Sequence, residues 1–236
     1  MNKPIKKNVM IFMVLCVIIS VFIYFLTQKY LIRPRKNISV KNLIPYIHDA
    51  KKELRVAKQS IPKSAEGNEY NFNFWIFLND YNYRINEDKI IVTKGENSVF
   101  NPLIMLENNS NNLKIAVSTT NFRKEIDTDS DSELSDIELS DNEEDNLEEF
   151  IVNNIKLQKW VNINIGFIDN SIDVYLDGKL VKSFIVRGYP KINSGDLVIT
   201  PGGGFNGTIS SLTYTNKSFS YNKIFNIYKK GPNRSN

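Results

Sequence analysis

The acidic residues between Glu125 and Glu149 are the first place to look for chemistry. In the stretch EIDTD, the carboxylates of Glu125, Asp127 and Asp129 alternate along the chain. On a β-strand such residues share one face, and two carboxylates held there can act as nucleophile and general acid on a glycosidic bond. The stretch runs directly into acidic low-complexity sequence, whereas splitting two carboxyl pKa values requires a rigid, partly buried strand. We therefore expect no catalysis from these residues.

The same run allows two other kinds of chemistry. Residues 127–138, DTDSDSELSDIE, place carboxylates at positions 1, 3, 5 and 12 of a calcium-binding loop, although Ser132 stands where the sharp turn needs glycine. Ser130, Ser135 and Ser140 each have an acidic residue three positions later, the pattern that acidophilic kinases prefer. Phosphorylation would deepen the negative charge. Calcium and phosphorylation stay open here, and no other cofactor is predicted.

Other groups that could carry catalysis are few. The chain has one histidine, His48, and one cysteine, Cys16. This excludes a disulfide framework within the chain and most nucleophile–base or metal-ligand sets. The glycine run ITPGGGFNGTIS, residues 199–210, lacks the lysine and the following helix of a phosphate-binding loop, so it predicts a turn or bulge between strands.

The aromatic residues suggest where a ligand could be held. Trp75 and Trp160 stand within apolar alternation, which favours core positions over ligand stacking. Tyr81 and Tyr83 belong to the polar stretch NDYNYR after a long strand, and binding residues are common in such loops. Tyr81 and Tyr83 are therefore the predicted ligand contacts.

Charge is divided unevenly along the chain. Residues 125–149 contain 13 of the 26 acidic residues and no Lys or Arg, so the remainder carries a formal charge of +17 against +4 overall. A like-charged segment without aromatic residues buries too little apolar surface to fold alone. It predicts a disordered acidic insert between two strands.

The N-terminus contains an apolar segment without a charged residue from Asn8 to Gln28. At about 1.5 Å per residue, a helix of this length spans about 30 Å, the thickness of a bilayer core. The segment is longer than the apolar region of a signal peptide and lacks a small-residue cleavage site. It predicts a single-pass signal anchor at residues 9–28, and because lysines and arginines flank both ends, the side occupied by the C-terminal domain stays open.

The elements that position these residues are strands. YNFNFWIFL places Tyr70, Phe72, Phe74, Ile76 and Leu78 on one side of a pleat, and short alternating segments follow at intervals of about ten residues. This pattern predicts an all-β, antiparallel two-sheet sandwich. A tight turn at Asp177-Gly178 would place Asp173 opposite Lys182 and Val174 opposite Val181.

Three motifs resemble those of laminin G-like domains, a branch of the concanavalin A-like lectin and glucanase superfamily. They are Lys159-Trp160-Val161, VYLDGKL at residues 174–180, and FNGTI at residues 205–209 followed by Leu212 and Tyr214. The resemblance covers residues 69–220 and implies a jelly roll whose rim loops bind glycans or proteins. The catalytic strand of the glucanase relatives is not convincingly present, since Thr128 and Asp129 depart from it.

The predicted organisation is a tail at residues 1–8, a transmembrane helix at 9–28, a basic juxtamembrane stalk at 29–52, the sandwich at 53–222 with the insert at 125–149, and a C-terminal tail at 223–236. The predicted function is membrane-anchored, non-catalytic recognition of a glycan or protein, with no nucleic-acid partner. The alternative is a structural or assembly protein of a membrane or virion, whose sandwich and insert contact other proteins. A glucanase is the third hypothesis.

Overall fold

The computed structural model describes residues 3–30, 38–64, 67–96, 98–120 and 146–233. It divides into two units, Met1–Ile38 and Ser39–Asn236. The first unit contains helix α1, Lys3–Tyr30, whose described side chains, residues 12–25, are all exposed. Over the described part of the chain, no helix combines the length and the apolar character needed to cross a membrane. The anchor predicted at residues 9–28 is not supported by this finding and stays a prediction from the sequence.

The second unit is a mostly-β sandwich of two antiparallel sheets, as the alternation predicted. Its strands are β1 Val40–Asp49, β2 Leu54–Val56, β3 Tyr70–Leu78, β4 Lys89–Glu96, β5 Val99–Leu106, β6 Leu113–Thr120, β7 Asn146–Val152, β8 Trp160–Ile168, β9 Ser171–Leu176, β10 Lys179–Ile185, β11 Tyr189–Pro190, β12 Leu197–Ile199 and β13 Gly207–Thr215. Sheet A has the order β1-β13-β3-β8-β9-β10. Sheet B has the order β11-β6-β5-β4-β12-β2, with β7 paired to β6.

The core lies between the two sheets and follows from strand periodicity. On β3, alternate residues from Tyr70 to Leu78 point into one hydrophobic cluster, as predicted. Val161, Ile163 and Ile165 of the neighbouring β8 join the same cluster. Because both strands are central in sheet A, their inward side chains are shielded almost completely from water.

The hairpin between β9 and β10 confirms one prediction and corrects another. Asp177 and Gly178 both have positive φ, 49° and 76°, which is the geometry of the predicted tight turn. The predicted pairs are wrong, because a bulge between Leu180 and Lys182 shifts the register by one residue. Asp173 consequently faces Ser183, whose hydroxyl donates a hydrogen bond to the Asp173 carboxylate.

Three segments differ from the predicted organisation. Residues 40–49, expected within the stalk, form β1 and pair with β13 from Val40↔Thr215 to Asp49↔Thr208, so sheet A begins before residue 53. Residues 221–230, expected mostly within the tail, form helix α2, Tyr221–Lys230. The last residues of the expected insert belong to β7, where the Glu148 carboxylate accepts hydrogen bonds from the backbone N–H groups of Arg187 and Gly188. The rest of the insert lies outside the described residues.

Candidate functional site

A cavity of about 580 Å³ lies at one end of the sandwich, which we call the end cavity. It is located where β3 and β5 begin and where β4 and β13 end, and residues 58–64, 67–68 and 192–195 complete it. The side chains that matter most for its chemistry are Lys58, Lys63, Tyr70, Lys94, Asn101 and Tyr214. Sequence-distant segments are therefore combined into one concave surface, the usual form of a ligand site.

Reciprocal hydrogen bonds hold one wall of the end cavity in place. The Lys94 ammonium donates to the Asn193 backbone carbonyl at 2.6 Å and to the Asn193 side-chain oxygen at 2.9 Å. The Asn193 amide in turn donates to the Lys94 carbonyl at 3.1 Å. Burial lowers the pKa of Lys94. The loop that follows β11 is thus attached to the end of β4 by a lysine whose amine is already engaged.

Two buried tyrosines form the floor of the end cavity. The rings of Tyr70 and Tyr214 stack with centroids 6.1 Å apart, and Tyr70 also stacks on Phe167 at 4.3 Å. The Tyr70 hydroxyl donates to the Asn101 side-chain oxygen, and the Asn101 amide donates to the Lys191 carbonyl at 2.8 Å. Burial raises the pKa of Tyr214 to about 12, and burial followed by the nearby Tyr214 raises the pKa of Tyr70 well above its usual value. Both hydroxyls therefore stay protonated near neutral pH.

The remaining lining sets the charge of the end cavity. Lys58 and Lys63 are exposed, and the Lys58 ammonium lies 3.9 Å from the Glu96 carboxylate. The side chains of Asn68 and Ser194 add neutral hydrogen-bonding groups. Among the described residues that line the cavity there is no aspartate, glutamate, histidine or cysteine. The described lining can attract and hydrogen-bond an anionic, hydroxyl-rich ligand.

The structure does not bring the predicted ligand contacts to the end cavity. Tyr81 and Tyr83 lie in the loop between β3 and β4, after the end of β3, whereas the cavity is located where β3 begins. Tyr81 is exposed, and the Tyr83 ring lies beneath the Lys51 ammonium, 4.8 Å from its centroid. A ligand role for the two tyrosines stays a prediction.

The two tryptophans occupy positions that the sequence pattern did not distinguish. Trp75 is buried, but on the outer side of sheet A, opposite the core, where its ring stacks on Tyr228 of α2 at 5.9 Å. Trp160 is only half-buried and meets Phe77 edge to face at 5.7 Å. Trp75 is therefore buried as expected, although outside the cluster between the sheets, whereas the expectation of a core position is wrong for Trp160.

The acidic residues considered for catalysis, calcium binding and phosphorylation lie outside the described residues. This applies to Glu125, to the loop at residues 127–138, and to Ser130, Ser135 and Ser140. Within the described ranges, no cluster of three or more histidine, cysteine or carboxylate side chains could hold a metal ion. His48 lies on β1, with its Nε2 hydrogen-bonded to the Lys52 carbonyl at 2.7 Å.

Sequence reasoning missed the lysines of the end cavity. Lys58 and Lys63 belong to a basic stretch that is typical of a solvated surface, and Lys94 is one residue in an alternating strand. Their common surface depends on pairing between β4 and β12 and on the course of two loops. The excess of basic residues outside the insert was the one signal that pointed toward an anionic ligand.

The fold is an antiparallel β-sandwich of two sheets with a concave cavity at one end. No protein-family model matches the chain, and no curated protein matches its sequence.

The solved structures with a similar fold include binding domains of botulinum neurotoxins. The receptor-binding domain of botulinum neurotoxin C/D mosaic serotype matches with a TM-score of 0.56 and 13% identity, over 84% of this chain and 47% of that one. The serotype G binding domain matches with a TM-score of 0.53 and 11% identity, over 84% and 47%. The chain thus spans about half the length of these structures, and identities this low show likeness of fold alone.

Proposed function

We propose that this protein recognises an acidic glycan through the end cavity and carries out no catalysis. The observation that carries the proposal is the lining of the cavity, in which Lys63 and Lys58, the latter 3.9 Å from the Glu96 carboxylate, stand beside neutral amides and hydroxyls, and no described lining residue is itself a carboxylate. Ammonium groups form strong, charge-assisted hydrogen bonds with carboxylate or sulfate groups. Asparagine amides donate and accept, which matches sugar hydroxyls. A cavity of about 580 Å³ is in the usual range for small-ligand sites.

The likeness to laminin G-like domains supports recognition through loops at the rim of the sandwich. The motifs that carry it, around Trp160, Asp177-Gly178 and Gly207, are framework positions. They leave the described loop residues 58–64, 67–68 and 192–195 free to determine the ligand. The receptor-binding roles named for the neurotoxin domains agree with recognition in general, and the choice of an acidic glycan comes from the lysines of this chain.

We also propose that residues 9–28 hold the domain at a membrane as a single-pass anchor. The support is the uncharged sequence from Asn8 to Gln28 and the exposure of large apolar side chains from Phe12 to Phe25. An exposed apolar surface of this size requires a cover, and the uncharged segment at residues 8–28 has the length that a bilayer core needs. Protease treatment of sealed vesicles that contain the full chain tests the anchor and identifies the side occupied by the sandwich.

The glycan proposal predicts the behaviour of two exposed lysines. Replacing Lys58 or Lys63 with glutamine should weaken binding of a sulfated or uronic-acid oligosaccharide about two- to fivefold each, because an exposed ion pair contributes about 0.5–1 kcal/mol. Affinity should also fall as ionic strength rises, since exposed charges are screened by salt. The measurement is titration calorimetry of the full chain against heparin-derived hexasaccharides, at low and at physiological salt.

Lys179→Gln on the edge strand β10 is the matched control, because Lys179 is exposed and does not line the end cavity. Equal binding of neutral and acidic hexasaccharides, or equal losses in all three variants, would contradict the proposal. Absence of glycan binding together with salt-sensitive association with a basic protein would instead support the assembly role, in which the acidic insert makes the contact.

A further inference from the structure

Polar side chains are buried on the outer side of sheet A, the side that faces away from the core. Asn71, Asn73 and Trp75 alternate along β3, and the cross-strand neighbours of Asn73 and Trp75 on β8 are Asn164 and Asn162. All five side chains are almost completely inaccessible to water. We call these five residues the asparagine face.

Six polar atoms of the asparagine face have no hydrogen-bond partner among the described residues. They are both side-chain amide atoms of Asn71, both of Asn164, the oxygen of Asn162 and the indole nitrogen of Trp75. Burial of an unpaired polar atom is costly, and asparagine is also unfavourable in strands. Apolar side chains would stabilise this layer better, so folding alone does not explain the amides.

The C-terminal segment, residues 216–233, covers the asparagine face. Ser218 packs so closely against Gly166 that a Cβ atom added at position 166 would lie 2.8 Å from the Ser218 hydroxyl oxygen. Tyr228 of α2 stacks on Trp75. Hydrogen bonds attach the segment at its two ends. The Ser218 backbone donates to the Glu69 carboxylate at 3.0 Å, and the Ser210 hydroxyl donates to the Asn233 carbonyl at 2.7 Å. Between these ends, the segment lies over the asparagine face without a described hydrogen bond to its unpaired amide atoms.

A cleft of about 560 Å³ opens at the edge of this cover. Trp75, Phe77, Trp160 and Tyr228 give it an aromatic lining, and Asp177 adds a carboxylate. Trp75 belongs both to the cleft and to the asparagine face, so the cleft leads from solvent to the first of the unpaired atoms. Aromatic rings beside hydrogen-bonding groups are the chemistry that holds a sugar ring, which has apolar C–H faces and hydroxyl edges.

We propose that the asparagine face is a second ligand site, for a neutral oligosaccharide, and that residues 216–233 are its lid. A sugar enters through the aromatic cleft and displaces Tyr228 from Trp75. Its hydroxyls donate to the side-chain oxygen of Asn162, and they both donate to and accept from the amides of Asn71 and Asn164. The site shares no residue with the end cavity. Its success or failure in experiment is therefore independent of the acidic-glycan proposal.

Tryptophan fluorescence reports directly on this site, because the only two tryptophans of the chain, Trp75 and Trp160, both line the cleft. The experiment titrates the full chain, in a zwitterionic detergent without a sugar headgroup, with cellohexaose, maltohexaose and mannohexaose. Tyr228→Ala loosens the lid and should increase the affinity for at least one of these hexasaccharides about tenfold. Tyr221→Ala is the matched control on the same helix, since Tyr221 is exposed and stacks on Phe225.

Asn164→Ala in the Tyr228→Ala background should abolish the fluorescence response. It should leave the thermal midpoint unchanged or higher, since it removes two unpaired polar atoms. A response that persists in this double variant, or a lower midpoint for Asn164→Ala alone, would overturn the proposal. So would silence with all three hexasaccharides in a folded Tyr228→Ala chain.

If the Tyr228→Ala variant does not fold, hydrogen exchange of the wild-type chain still tests the lid. Saturating hexasaccharide should speed exchange of the α2 backbone amides, residues 221–230, because the lid must open. Binding with unchanged or slower exchange in α2, or no binding by the wild-type chain at saturating concentration, would exclude a lid.

Discussion

Phe72→Ala is expected to lower the free energy of unfolding by about 3–5 kcal/mol, the usual cost of removing a buried phenylalanine ring. Phe72 is completely buried at the centre of sheet A. Its ring meets Tyr214 edge to face at 5.2 Å and Tyr70 edge to face at 6.0 Å. Because the neighbouring rings belong to two paired strands, the backbone cannot close the space that the substitution leaves.

Urea denaturation followed by tryptophan fluorescence measures this loss, since Trp75 and Trp160 both belong to sheet A. Ile185→Ala on the edge strand β10 is the control, because Ile185 is 64% exposed and should change stability by no more than about 0.5 kcal/mol. A loss below about 1 kcal/mol for Phe72→Ala at an unchanged urea slope would mean that this ring does not fill the core.

The fold was predictable from local alternation wherever a strand has one apolar face. YNFNFWIFL is the clearest case, because its alternate residues point into the core as expected. Strand β1 escaped prediction because its sequence, VKNLIPYIHD, includes a proline and polar residues, and its place in the sheet depends on β13, far along the chain. Alternation also cannot detect the bulge at Val181, which changes the pairing of every later residue in the hairpin.

The sites were less predictable than the fold, for a different physical reason. A side chain on the outer face of a strand looks solvent-exposed in sequence, and only the C-terminal segment makes the face of Asn71 and Asn73 a buried layer. Similarly, Lys63 and Lys94 look like ordinary surface charges until two loops and four strand ends meet around one cavity. Sequence periodicity shows which residues share one face of a strand. Whether that face becomes a site depends on the segments that cover it.

The floor of the end cavity predicts a loss of stability in alkali. A buried tyrosine is neutral when protonated, and burial raises the pKa of Tyr214 to about 12, above the value of about 10 in an unfolded chain. Between these pH values the unfolded chain loses its proton first, so the folded state binds more protons and stability falls as pH rises. The contribution of the protonated Tyr214 side chain to the free energy of unfolding is fully present below pH 10. About 2–3 kcal/mol of this free energy should be lost by pH 12, because each unit of pKa difference corresponds to about 1.4 kcal/mol.

Tyr214→Phe isolates this effect, because phenylalanine keeps the ring but has no proton to lose. Between pH 8 and pH 11.5 the urea midpoint of the wild type should fall relative to that of the variant, since other groups that titrate in this range act equally on both proteins. Tyr189→Phe is the matched control, because Tyr189 is 74% exposed and should leave the alkaline slope unchanged. Equal slopes for Tyr214→Phe and wild type would show that the Tyr214 hydroxyl is hydrated in the folded chain, which would contradict the prediction.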